Sequence, residues 1–119
     1  MQSLTVNWAQ PQFGYWYTLQ TDFSRVFITG VYVIWHAGQP GRYVKVGQAK
    51  QGNIGSRLSA HRIDSQILAH RRLGELYVTW TSLADHQVDG VERFLGDSLR
   101  PLIGDRFPDT IPIAVNLPG

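Results

Sequence analysis

Gly30-Val31-Tyr32-Val33-Ile34-Trp35, the loop His36-Ala37-Gly38-Gln39-Pro40-Gly41 and Arg42-Tyr43-Val44-Lys45-Val46-Gly47 decide the fold of this chain. The two outer segments are β-branched and aromatic, which suits a pleated, buried surface, and the Gly/Pro loop between them closes a hairpin. A Gly/Asn loop follows. Ile54-Gly55-Ser56-Arg57-Leu58-Ser59-Ala60-His61 then reads as a helix capped by Asn53 and ending near His61 or Ile63. Two strands and a helix bearing Arg and His gather cations and a phenol in one small region, a set suited to a phosphodiester.

Downstream, Asp64 or Ser65 opens a further helical piece over 66–73 that Gly74 ends. Glu75 to Thr81 reads as a third strand, with Leu76, Val78 and Trp80 alternating with Tyr77 and Thr79. Ser82-Leu83-Ala84-Asp85 resembles a capping box before a long helix that runs to about Leu99 and is stopped by Pro101. Val88, Val91, Leu95 and Leu99 form its apolar stripe. Glu92 sits at the edge of that stripe, and Gly96, one turn on, leaves room beside it.

Upstream, residues 1–26 hold Trp8, Phe13, Tyr15, Trp16, Tyr17 and Phe23. Leu4 to Trp8 and Tyr15 to Leu19 alternate as strands do, and the segment reads as a flap on the core. An aromatic face that stacks bases is the alternative. Gly and Pro dominate the tail, 103–119, which reads as extended and laid over the domain. The expectation is one small α/β domain: an aromatic extension (1–26), a core (27–102) with a three-stranded, mostly antiparallel sheet flanked by helices, and the tail.

The 119 residues are enough for one domain with a real core. With 43% hydrophobic and 17% charged residues the chain folds rather than stays disordered. Net charge is only +2, so nucleic acid is permitted as a partner but not implied by charge. Arg outnumbers Lys nine to two, which favours forked contacts to phosphate oxygens. The absence of cysteine excludes disulfides, Cys-zinc sites and thiol nucleophiles. No membrane-spanning run or signal core is evident, so a soluble cytoplasmic location is expected, with no membrane partner.

Other chemistries fit poorly. Gly47-Gln-Ala-Lys-Gln-Gly52 has the outline of a phosphate loop, but Asn53-Ile54 stands where Lys-Ser/Thr is required. His61 and His70 have no third ligand spaced for zinc, and no serine occupies a nucleophile elbow.

The order of hairpin, helix, strand and helix, together with these residue identities, resembles the GIY-YIG nuclease superfamily. Gly30-Val31-Tyr32 matches its first signature, and Lys45-Val46-Gly47 occupies the second, with Lys45 in place of the commoner tyrosine. Arg57 falls ten residues after Gly47, at the position of the family's arginine, and His61 follows one turn later. Glu92, within Val91-Glu92-Arg93-Phe94-Leu95, is similar to its metal-binding glutamate. Pro101 follows at the usual distance, and Asn116 is similar to a late asparagine. The resemblance spans roughly Phe27 to Leu102.

The resemblance implies a divalent-metal-dependent endonuclease that hydrolyses nucleic-acid phosphodiester bonds, DNA ahead of RNA. It implies Mg2+ or Mn2+ held by Glu92 and a catalytic set of Tyr32, Lys45, Arg57, His61 and Glu92 gathered on one concave, electropositive face. Tyr43, Lys50, Arg62 and Asn116 are the expected substrate contacts, with Tyr43 on the same strand face as Lys45. Gly30 and Gly47 serve the backbone. The chemistry agrees with that set. A hard cation needs only one or two carboxylates, Arg57 can fork onto phosphate oxygens, and Tyr32 or Lys45 can take a proton from water. Each residue also has an ordinary role: Tyr32 in packing, Lys45 and Arg57 as solvated charges, His61 at a helix end, Glu92 as a surface carboxylate. A non-catalytic nucleic-acid-binding module on the same fold, or a protein-interaction domain, is the alternative. With no recognition domain beside this core, targeting is expected from a partner protein or from nucleic-acid structure.

Overall fold

The computed structural model of the protein describes residues 2–104 and 106–118. β1 (Ser3–Leu4), β2 (Tyr17–Thr18), β3 (Gly30–His36), β4 (Arg42–Ala49), α1 (Ile54–His61), α2 (Ser65–Leu68), a 3-10 turn (Ala69–Leu73), β5 (Leu76–Ser82), α3 (Asp85–Leu99) and β6 (Ala114–Val115) follow in order. β3 and β4 form the expected hairpin, and β5 pairs antiparallel with the other side of β3.

The sheet has four strands, not three, in the order β2-β5-β3-β4. Tyr17 and Thr18 pair with Val78 and Tyr77. The physical reason is the outer edge of β5, whose backbone groups need partners. The N-terminal chain supplies them: Leu19 N–H donates to the Leu76 carbonyl and Ala9 N–H to that of Trp80, each at 2.9 Å. The hydroxyls of Thr79 and Thr81 donate in turn to the carbonyls of Ala9 (2.8 Å) and Asn7 (2.9 Å). Leu19 and Phe23 are fully buried. The sequence reads residues 1–26 as a flap packed on the core; their described part instead builds the sheet and the core.

Alternation along β3 separates two cores. Tyr32 and Ile34 face α1, where Ile54 and Leu58 join Val78 and Trp80. Val31 and Val33 face α3, where Val88, Val91, Leu95 and Leu99 join Val46. Because both faces are covered, β3 reads as a continuous apolar run. Each fully buried aliphatic side chain contributes about 1.5–3 kcal/mol.

α1 starts where the N–H groups of its first two residues would otherwise lack acceptors. Ile54 N–H donates to the Ile28 carbonyl and Gly55 N–H to that of Val26, both at 3.0 Å. Asn53 occupies the cap position without a side-chain cap bond. On α3, the Gln87 carboxamide accepts from Ala84 N–H at 3.1 Å, and Arg100 ends the helix in the left-handed conformation (φ 47°). The tail lies along α3, with Ile113 and Val115 in its apolar cluster, and β6 pairs parallel with β1. Among the described residues no helix is long and apolar enough to cross a membrane.

His36, at the end of β3, is 3% exposed. Its Nδ1 accepts from Gly38 N–H at 3.1 Å, which leaves the ring proton on Nε2. Burial, then the nearby charges of His70 and Arg42, push its pKa below the usual 6.5. The unfolded chain therefore binds the extra proton first, so stability is complete above pH 6.5 and is lost as pH falls below it toward the folded value. Calorimetric melts from pH 7.5 to 5.5 are expected to show this decline. It should flatten in His36→Asn, which keeps an acceptor for Gly38.

Candidate active site

Tyr32 stands opposite Gly47 on one neighbouring strand and Trp80 on the other. A Cβ at position 47 would clash with the phenol oxygen of Tyr32. The glycine therefore lets the ring lie across β4, and no larger residue could do so. Lying there, the phenol oxygen is 2.6 Å from Nε2 of His61 on α1. The phenol donates this bond when the imidazole carries its proton on Nδ1. The rings are tilted by 48° with centroids 5.3 Å apart. The buried stripe of α1, Ile54 and Leu58, sets the helix on the sheet and turns His61 toward Tyr32. Arg57, one turn before His61, is exposed.

A β-bulge corrects one expectation. Lys45 pairs with Ile34, but Trp35 pairs with Tyr43, so Val44 is an extra residue on β4. In a period-two strand one extra residue reverses the faces that follow. Lys45, half-buried, lies opposite Ile34 on the α1 side, whereas Tyr43 packs against the α3 cluster. The two do not share a face, so Tyr43 cannot stand in for a phenol beside Lys45.

The carboxylate expected to hold metal arrives from the other side. Glu92, 9% exposed, accepts from the Gln48 carboxamide at 2.9 Å, and the same nitrogen donates to Asp89 at 2.8 Å. Gln48 pairs with Val31, which faces α3. The Asp89 carboxyl is held below its usual value, chiefly by the Gln48 bond and more weakly by Lys50, against the opposing effect of burial. The Lys50 ammonium is 3.4 Å from that carboxylate. Gln48 and Asp89 were absent from the sequence expectation. Their signals were present: Asp89 lies three residues before Glu92 on one helix, and Gln48 follows Gly47 on the opposite strand face.

The expectation of one concave face is therefore corrected. Tyr32, His61 and the α1 helix of Arg57 cover one side of the sheet; Glu92 and Asp89 lie on the other. The two groups approach each other at Gly47 and Gln48, consecutive residues of β4, an edge strand of the sheet. The sheet interior separates two helices packed on opposite faces, but its edge does not. Among the described residues, Leu102 and Ile103 bond to the carbonyls of Tyr43 and Val44, in the first half of that edge.

Other expected residues serve the scaffold in this structure. The Asn116 side chain accepts from Val6 N–H at 2.7 Å and donates to the Val6 carbonyl at 3.0 Å, tying the tail to the N-terminal segment. Gly30 allows close approach to the carbonyl of Thr81. The room beside Gly96 is filled by Phe107. Arg62 follows α1 and acts on Asp22, whose carboxyl is held below its usual value mainly by Ser24 and more weakly by the charges of Arg62 and Arg25.

Among the described residues no group of three or more His, Cys, Asp or Glu side chains forms a metal cage. Two carboxylates one turn apart on α3, aligned by one carboxamide, do match a hard cation that keeps most of its waters. No family model, curated protein or solved structure matches the chain.

Proposed function

We propose that the protein is a divalent-metal-dependent endonuclease that hydrolyses nucleic-acid phosphodiester bonds, with DNA ahead of RNA. The observation that supports it most directly is the short Tyr32–His61 bond seated over Gly47, one residue along β4 from the Gln48 carboxamide that holds Glu92. A phosphodiester lying across the edge of β4, rather than inside a one-sided cleft, would touch both groups.

In this reading the Tyr32 oxygen takes a proton from the attacking water while His61 Nε2 holds the phenolic proton. The water oxygen bonds to phosphorus and the bond to the 3′ oxygen breaks. Arg57 forks onto non-bridging oxygens, and Lys45 adds a cation on the Tyr32 side. Glu92, with Asp89 beside it, would hold Mg2+ or Mn2+; such an ion neutralises the non-bridging and departing oxygens.

Purified protein incubated with single- and double-stranded DNA and with RNA, in Mg2+, Mn2+ or chelator, tests the proposal. Cleavage of DNA that chelator abolishes is expected. Absence of cleavage on every substrate with either metal would overturn it. The split of Tyr32 and Glu92 between sheet faces counts against the endonuclease reading, which expected them on one face, and favours one second reading, a nucleic-acid-binding module without catalysis. Salt-sensitive DNA binding with no cutting would identify it.

A further inference from the structure

Away from the Tyr32–His61 pair, at the hairpin end of the sheet, Trp16, Trp35, Gly41, Arg42, Tyr43 and Pro118 line an open cleft of about 250 Å³. We infer that this cleft takes a single unpaired nucleobase, with the adjoining phosphate on Arg42. The inference rests on the endonuclease proposal and specifies its substrate: nucleic acid with unpaired nucleotides next to the cut.

The cleft is built from flat rings. Trp35 stacks on Tyr77 with centroids 5.9 Å apart and a 25° tilt. Trp16 meets Trp35 edge to face at 5.2 Å and 87°. Their mutual packing holds the rings without filling the recess, and both tryptophans stay half-exposed. Half-exposed tryptophans of fixed orientation suit a planar ligand, because each presents a π surface that needs no reordering on binding.

Charge decides which planar ligand. Among the described residues lining the cleft, Arg42 alone carries a charge, and it is exposed. A cage for a cationic group would carry a carboxylate or no charge, whereas an arginine beside aromatic rings matches a base with its phosphate. Size decides its state. A volume of about 250 Å³ suits one ring system, and a base is free to enter such a recess when it is unpaired.

The cleft also has a fixed relation to the proposed chemistry. Tyr43 and Gly47 pair with Trp35 and Tyr32, three residues apart on β3 because Val44 bulges, about 10 Å at ~3.3 Å per residue. Tyr43 and Trp35 lie on the face that carries Glu92. A nucleic-acid strand passing outside Leu102 and Ile103 would place one base in the cleft while a phosphate a few nucleotides away lies at Gly47. The sequence offered base stacking as the alternative role of the N-terminal aromatics, and the cleft gives that role to Trp16.

Fluorescence anisotropy of a labelled short oligothymidylate, in chelator so that nothing is cut, tests the inference. Trp16→Ala is expected to weaken single-strand binding roughly tenfold or more while leaving duplex binding unchanged, and Trp16→Phe should keep most of the affinity. Arg42→Ala, at an exposed position, should lower the salt dependence by about one phosphate contact. Equal single-strand affinity in wild type, Trp16→Ala and Arg42→Ala would overturn the cleft while leaving the endonuclease proposal standing. Competition by a proline-rich peptide but not by a nucleotide would overturn it in favour of a peptide groove. If the wild-type protein neither binds nor cuts any nucleic acid, both proposals fall together.

Discussion

Tyr32→Phe is expected to lower DNA cleavage by roughly 10²–10⁴-fold, the range for loss of a general base. Only the hydroxyl is removed, so the ring still fills its place among Ile34, Trp80, Ile54 and Leu58. The bond lost is the one to His61 Nε2 at 2.6 Å. If that bond served only to fasten α1 to the sheet, its loss would cost about 0.5–1.5 kcal/mol of stability and leave any cleavage unaffected. The two roles therefore separate on different axes. A large fall in single-turnover rate with a modest fall in melting temperature fits the proton-transfer role. A destabilised protein that cuts at the wild-type rate would remove Tyr32 from the chemistry.

Glu92→Gln is expected to reduce metal-dependent cleavage to background and to abolish measurable Mn2+ binding by calorimetry. The substitution keeps volume and removes charge. Gln48 still finds a carbonyl oxygen on the new carboxamide, so the 2.9 Å bond that positions residue 92 has a replacement. Affinity for DNA in chelator should stay near wild type, because the substitution keeps the volume at position 92 and leaves Arg57 and Arg42 in place. Asp89 remains, still held by Gln48 at 2.8 Å. Retained Mn2+ binding in Glu92→Gln would move the metal to Asp89, and unchanged cutting would place it away from α3 altogether. The variant is also sensitive to the division of the site between two sheet faces. If Glu92 is a structural carboxylate clamped to β4, the substitution alters the melting temperature and leaves any cutting alone.

Neighbouring residues made much of this fold legible. The β3–β4 hairpin, β5 and α3 appear close to where alternation, the loop at 36–41 and the stripe Val88, Val91, Leu95 and Leu99 put them, because these signals act over a few residues. Tyr32 and His61 were each named from the chain, but the contact between them depends on how α1 docks. That docking is set by Phe23, Ile54 and Leu58 and by the carbonyls of Val26 and Ile28, which come from separate segments.

By itself the sequence determined which residues alternate, which segment turns and which helix carries the acid, since periodicity and breakers are local properties. Tertiary structure alone decided that Tyr17 and Thr18 join the sheet, that Val44 bulges, and that Asp89 shares Gln48 with Glu92. It also decided that Tyr32 and Glu92 approach the edge of β4 from opposite faces. The reason is physical. Backbone pairing at a sheet edge carries no side-chain code, and a single extra residue reverses a strand's faces without changing its composition.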